Sequence, residues 1–179
     1  MLLMINGWPG VGKLTVARLV AAELGARLLD HHTIFNIAHR LNDFRSPSYY
    51  ETARAVRGVA FQAAAKIPSG EPIVMTGIWG DSDWGNENWA AVTDLARQRG
   101  AKFFVVVLDC SEEENVRRVA QPERAALNKL LDPAALIEAR NRPGRALLCR
   151  GDAVRRVDNS NLSARECAAR IIAWLRSRH

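Results

Sequence analysis

The chain has 179 residues, 48% hydrophobic and 25% charged, the make-up of one folded domain spanning 1–179, which excludes a disordered, collagenous or disulfide-scaffold protein. Three cysteines, Cys110, Cys149 and Cys167, are odd in number and lack metal-ligand spacing, so they read as reduced thiols of a cytoplasmic protein. The net charge of +6 is carried mainly by arginine and gathers between Arg117 and Arg156, a footprint that a nucleic acid, a bound triphosphate or a solvated face would each explain.

Residues 1–5, MLLMI, form a continuous apolar run, too short for a signal peptide or a membrane span and suited to a strand buried on both faces. Glycines follow at once. From Lys13 to Leu24, Val16, Ala17, Val20, Ala21 and Leu24 share one helical stripe, and Gly25 supplies a stop. Residues 27–30, RLLD, read as a short strand, 33–41 as a helix, and Ser46-Pro47 as the start of an alanine-rich helix reaching about Lys66. A third strand is expected at 72–76, then a long loop GIWGDSDWGN, then a helix over 87–99 closed by Gly100.

The fourth strand, 102–108, is the clearest. Ser111 and Glu114 have capping-box spacing and predict a helix to about Val119; Asp132-Pro133 starts another within an otherwise polar, proline-interrupted stretch, 120–150, expected to be mobile. A fifth strand is read at 153–157, and Ser163 with Glu166 caps a last helix. Five strands separated by helices predict a parallel sheet covered on both faces. Such sheets bind ligands beyond the carboxyl ends of their strands, where Asn6, Asp30, Thr76, Asp109 and Asp158 would gather.

The segment Gly7-Trp8-Pro9-Gly10-Val11-Gly12-Lys13-Leu14-Thr15 joins the first strand to the first helix. Its glycines let the backbone wrap phosphate oxygens with N–H groups, the helix adds its positive end, and Lys13 can reach the outer phosphates. One position departs from the general pattern GxxxxGK(S/T): Leu14 stands where a hydroxyl would meet Mg²⁺, and Thr15 follows it.

This GxPGxGKxT run resembles that of adenylate kinases and, more widely, of small-molecule P-loop kinases, including shikimate kinases and chloramphenicol phosphotransferase. The resemblance implies a three-layer α/β P-loop NTPase fold whose lid spans about 117–145. It implies ATP and Mg²⁺ as cofactors, with the metal held largely through water at Thr15 and Asp30. Asp30 matches the place where shikimate kinases put a carboxylate for the acceptor hydroxyl; Arg118 and Arg124 match lid arginines, backed by Arg117 and Lys129. Asp158, Asn159 and Ser160 match the segment that contacts adenine.

Acceptor contacts are expected from His31, Trp79, Asp81 and Asp83, with Trp84 and Trp89 near them. His31 and His32, read as extended, would point in opposite directions and are poorly placed to share a metal. The third strand ends in Thr76-Gly77 without the usual Walker B aspartate, as in shikimate kinases. The function so implied is transfer of the γ-phosphate of ATP to a small-molecule hydroxyl or phosphate, with no membrane or nucleic-acid partner. A nucleotide-driven switch without an acceptor, and a kinase of nucleic-acid ends, stay open.

Overall fold

A computed structural model describes residues 1–121, 132–142 and 146–178. Among the described residues twelve elements follow in order: β1 Leu2–Asn6, α1 Lys13–Leu24, β2 Arg27–Leu29, α2 His31–Leu41, α3 Pro47–Ala65, β3 Ile73–Gly77, α4 Asp83–Gln98, β4 Phe103–Asp109, α5 Glu112–Val119, α6 Pro133–Asn141, β5 Ala153–Asp158 and α7 Ala164–Arg176. The strands pair in the order β2-β3-β1-β4-β5, every pair parallel.

Alternation along the strands divides the core in two. Leu2 and Met4 of β1 join Phe103, Val105 and Val107 of β4 under α2, α3 and α4. Leu3 and Ile5 join Phe104, Val106 and Leu108 under α1 and α7. Because β1 and β4 are covered on both sides they are apolar up to their last residues, Asn6 and Asp109, each large side chain contributing about 1.5–3 kcal/mol on burial. At the sheet edge, β5 leaves Arg155 and Arg156 exposed.

Three readings change in the structure. Helix α2 begins at His31, not Thr33: Asp30 leaves β2 and becomes the N-cap, accepting from the His32 N–H, so His31 and His32 lie in a first helical turn and not in an extended segment. Helix α4 begins at Asp83 because the Ser82 hydroxyl accepts from the Gly85 N–H, so Asp83 and Trp84 are helical and the preceding loop is short. Of the 120–150 stretch expected to be mobile, 122–131 and 143–145 lie outside the described residues, while Leu136, Leu147 and Leu148 are buried and Gly80 bridges Leu147. The two cap signals also part company. Ser163 and Glu166 complete a capping box, whereas the Glu114 carboxylate is drawn away to Arg117 and Arg118, leaving only the Ser111 half.

Arg99 holds the chain between α3 and β3. Its guanidinium, 5% exposed at the residue level, donates to the carbonyls of Ala64, Ile67, Pro68 and Glu71 at 2.6–3.2 Å. Those carbonyls lie at and just beyond a helix end, where intrahelical donors run out. No described helix is long and apolar enough to cross a membrane.

Candidate active site at the carboxyl rim of the sheet

Residues 7–15 leave β1 and enter α1 as a compact loop. Gly10 and Gly12 have φ of 89° and 88°, a left-handed backbone that L side chains resist. A Cβ on Gly10 would in addition stand 2.5 Å from the Asn115 amide. Lys13 folds back over the loop, its Nζ donating to the carbonyls of Gly7 and Trp8, each at 2.8 Å. Gly12 caps α1 without a side chain and the first turn holds no acid, so the positive end of the helix is left for an anion. Leu14 is partly buried and Thr15 is exposed in that first turn.

Two buried asparagines grip the loop from outside. The Asn115 amide of α5 donates to the Pro9 carbonyl at 2.7 Å, and the Asn159 amide, just past β5, donates to the Val11 carbonyl at 2.8 Å. Each is oriented by an arginine. Arg140 of α6 donates to Asn115 Oδ1 at 2.7 Å and to Asp109 at 3.0 Å; Arg118 of α5 donates to Asn159 Oδ1 at 3.1 Å and to its carbonyl at 3.0 Å. Arg118 also bonds Glu114 at 2.6 Å. Hydrogen bonds from Arg117 first, then Arg118, bring the Glu114 carboxyl down to about 2.

Polar groups at the other strand ends serve the protein itself. Asn6, fully buried, accepts from the Trp79 N–H and donates to the carbonyls of Trp79 and Leu148, joining β1 to the loop after β3. Asp158 accepts from the N–H and hydroxyl of Ser160, whose hydrogen bonds lower its pKa, and the Ser160 hydroxyl in turn accepts from the Ser111 N–H. The Asn159 N–H donates to Asp109 and its carbonyl accepts from Arg118, so its backbone is taken up within the fold.

Across the rim, Asp30 accepts from the His32 N–H at 2.9 Å and the Thr33 hydroxyl at 2.6 Å. The His31 N–H donates to the Thr76 hydroxyl at 3.1 Å, its ring stacks on Phe35 at 4.4 Å and meets the edge of Trp79 at 5.1 Å. Burial, helped by the nearby charges of His32 and Lys13, pushes His31 down to about 3, so its imidazole is neutral at pH 7. His31 Nδ1 and Trp79 Nε1 are buried without a hydrogen-bond partner. A water or a ligand group with both donor and acceptor capacity would relieve them.

Trp84 stands half-buried beside Tyr50, with Arg54 and Arg57 over its ring at 5.2 and 5.6 Å. Both arginines are bound to Glu87 at 2.8 Å. Asp81 accepts from Asn86 and Asp83 is exposed in the first turn of α4; no contact draws either toward Asp30. Trp89 is a core residue packed on Phe103, its indole N–H donating to the Arg150 carbonyl. Arg124, Lys129 and Arg145 lie outside the described residues. A surface cleft of about 600 Å³ beside α4 includes Phe103, Gly151 and Asp152, at the amino ends of β4 and β5, and so at the opposite end of the sheet from the loop.

Asn115 carried no expectation from the sequence, and Arg140 counted only within the basic stretch between Arg117 and Arg156. Asn115 could have been found as a polar residue one helical turn before Val119, on the face that α5 must bury. Nothing local marked Arg140 as its partner.

Known proteins share this fold. A protein of Chloroflexus aurantiacus provisionally assigned as a kinase superposes with a TM-score of 0.71 at 19% identity, over 98% of this chain and 96% of that one. APS kinase of Mycobacterium tuberculosis, in complex with AMPPNP and APS, gives 0.63 at 19% over 98% and 96%. Shikimate kinase of Acinetobacter baumannii, in complex with shikimate, gives 0.56 at 20% over 99% and 93%. At such identities the likeness shows the α/β P-loop kinase fold. No curated protein sequence matches the chain. The AAA domain family model matches residues 2–142, and the chain belongs to that family.

Proposed function

We propose that the protein is an ATP-dependent phosphotransferase that moves the γ-phosphate of ATP to a hydroxyl of a small molecule. The observation that carries this reading is Lys13, held over its glycine loop at an uncapped helix start, on the same rim as the Asp30 carboxylate. The loop N–H groups and the α1 end would bind the β- and γ-phosphates, and Lys13 would exchange its two carbonyls for phosphate oxygens. The left-handed Gly10 and Gly12 keep side chains out of that cradle, so the residues fit a triphosphate. The AMPPNP bound by the APS kinase neighbour supports the same ligand class.

Asp30 would orient the acceptor hydroxyl and take its proton, its two oxygens already fixed by His32 and Thr33. The neutral His31, Trp79 and Trp84 would pack against the acceptor, with Asp81 and Asp83 at the outer edge. Asp158 to Ser160 would border the base. Thr15 and Asp30 are the oxygen donors placed to hold Mg²⁺ through water, since Leu14 has none. When bound, the ion supplies neutralisation of the phosphate charge as transfer proceeds. Because Arg54 and Arg57 are both committed to Glu87, an uncharged acceptor suits this side better than an anion.

An acceptor screen for ADP release, run with nucleosides, sugars and hydroxylated aromatic compounds, tests the reading. Stimulation by a neutral alcohol supports it; a slow basal rate that no acceptor raises would favour the switch instead.

A further inference from the structure

Two relays of identical construction hold the phosphate loop: Arg140–Asn115–Pro9 from α6 and α5, and Arg118–Asn159–Val11 from α5 and the turn after β5. A guanidinium can only donate. The end of each amide that faces its arginine must therefore be oxygen, which turns the NH₂ end toward the loop carbonyl. Without the arginine the amide could turn over and set oxygen against oxygen. Both asparagines are buried, at 0% and 3% exposure, so water cannot substitute freely.

The consequence reaches the nucleotide through peptide geometry. A planar trans peptide puts its carbonyl oxygen and the following N–H on opposite sides. Drawing the Pro9 carbonyl out to Asn115 turns the Gly10 N–H away from α5, and drawing the Val11 carbonyl out to Asn159 turns the Gly12 N–H away from that residue. These are the two glycines of the loop with positive φ, and thus its least self-supporting peptides.

We propose that Arg140 and Arg118 are positioning residues that set the direction of the Gly10 and Gly12 N–H groups through Asn115 and Asn159, so that phosphate affinity depends on α6 staying docked by Arg140. The inference rests on the loop being a nucleotide site, as proposed above. It assigns Arg118 to the resting loop and not to the transferring phosphate.

Calorimetric titration of the full chain with AMPPNP tests it, using Arg140→Met, Arg118→Met, their lysine counterparts and the double variants. Each methionine variant should weaken binding about tenfold, the scale of one coupled buried contact. Lysine, which still donates, should restore part of it. Arg140→Met in an Asn115→Leu background should add nothing, whereas Arg140→Met with Arg118→Met should multiply. If the leucine variant does not fold, the methionine-lysine contrast decides. AMPPNP binding by both methionine variants as tight as wild type, or equal loss with lysine and methionine, overturns the relays alone. Failure of the wild-type chain to bind AMPPNP overturns the nucleotide site as well.

Discussion

The glycine-loop side of the rim, proposed to hold phosphate, and the Asp30 side, proposed to hold the acceptor, are built on different principles. Around the loop, Asn6, Asn115, Asn159, Arg118 and Arg140 have their polar groups engaged, and they join segments far apart in the chain. Facing it, His31 Nδ1 and Trp79 Nε1 are buried and unpaired, and the walls are aromatic. A site for a constant ligand can be satisfied in advance by backbone and fixed amides. One for a variable acceptor leaves groups to be completed by that ligand, at a cost in stability of about 1–3 kcal/mol for each unmade buried hydrogen bond.

The contrast can be broken most severely at Lys13. Lys13→Ala should lower any ATP-dependent turnover by about 10²–10³-fold, the size expected for one charge-stabilising contact, while the melting temperature changes little. Equal turnover by steady-state ADP release would remove the phosphate side from the account.

Asp30→Asn should cut acceptor-dependent turnover by about 10²-fold or more and leave affinity for AMPPNP without Mg²⁺ intact, since the amide keeps the N-cap but cannot take a proton. A comparable loss of AMPPNP affinity would mean that the two sides are not separable at Asp30.

His31 sharpens the difference through pH. Its folded value of about 3 lies below the ordinary 6.5, so the unfolded chain binds the extra proton between these limits. Its contribution to stability is complete above 6.5 and falls as pH drops toward 3. His31→Phe should therefore flatten the chemical-denaturation stability profile between pH 6.5 and 4, by up to about 1 kcal/mol per unit of pH. A wild-type slope unchanged by that substitution would place His31 outside the linkage.

The smallest effect is expected at Glu87. Glu87→Gln should cost about 0.5 kcal/mol in urea melts, as partly exposed pairs do, yet it frees Arg54 and Arg57 and should improve KM for anionic over neutral acceptors. No shift in acceptor preference would show that the Glu87 pairs do not set selectivity.

What could be read in advance follows the same division. The glycine loop, the apolar runs of β1 and β4 and the Ser163 cap are local patterns, and each was legible because its cause lies within a few residues. Asp30 was read as the last residue of the second strand, and its capping of α2 was not seen, because a strand end and an N-cap favour the same residue type. The Arg140–Asn115–Pro9 chain spans more than a hundred residues and leaves no periodic trace. Glu114 misled for a simpler reason: capping-box spacing does not say that Arg117 and Arg118 will take the carboxylate first.

The central claim is transfer of phosphate, and mass spectrometry of the acceptor beside ADP assay measures it directly. With an acceptor from the screen, one phosphorylated acceptor should appear for each ADP formed, with both products lost in Lys13→Ala. ADP accompanied only by free phosphate, at a rate indifferent to every acceptor and to Asp30→Asn, would contradict it.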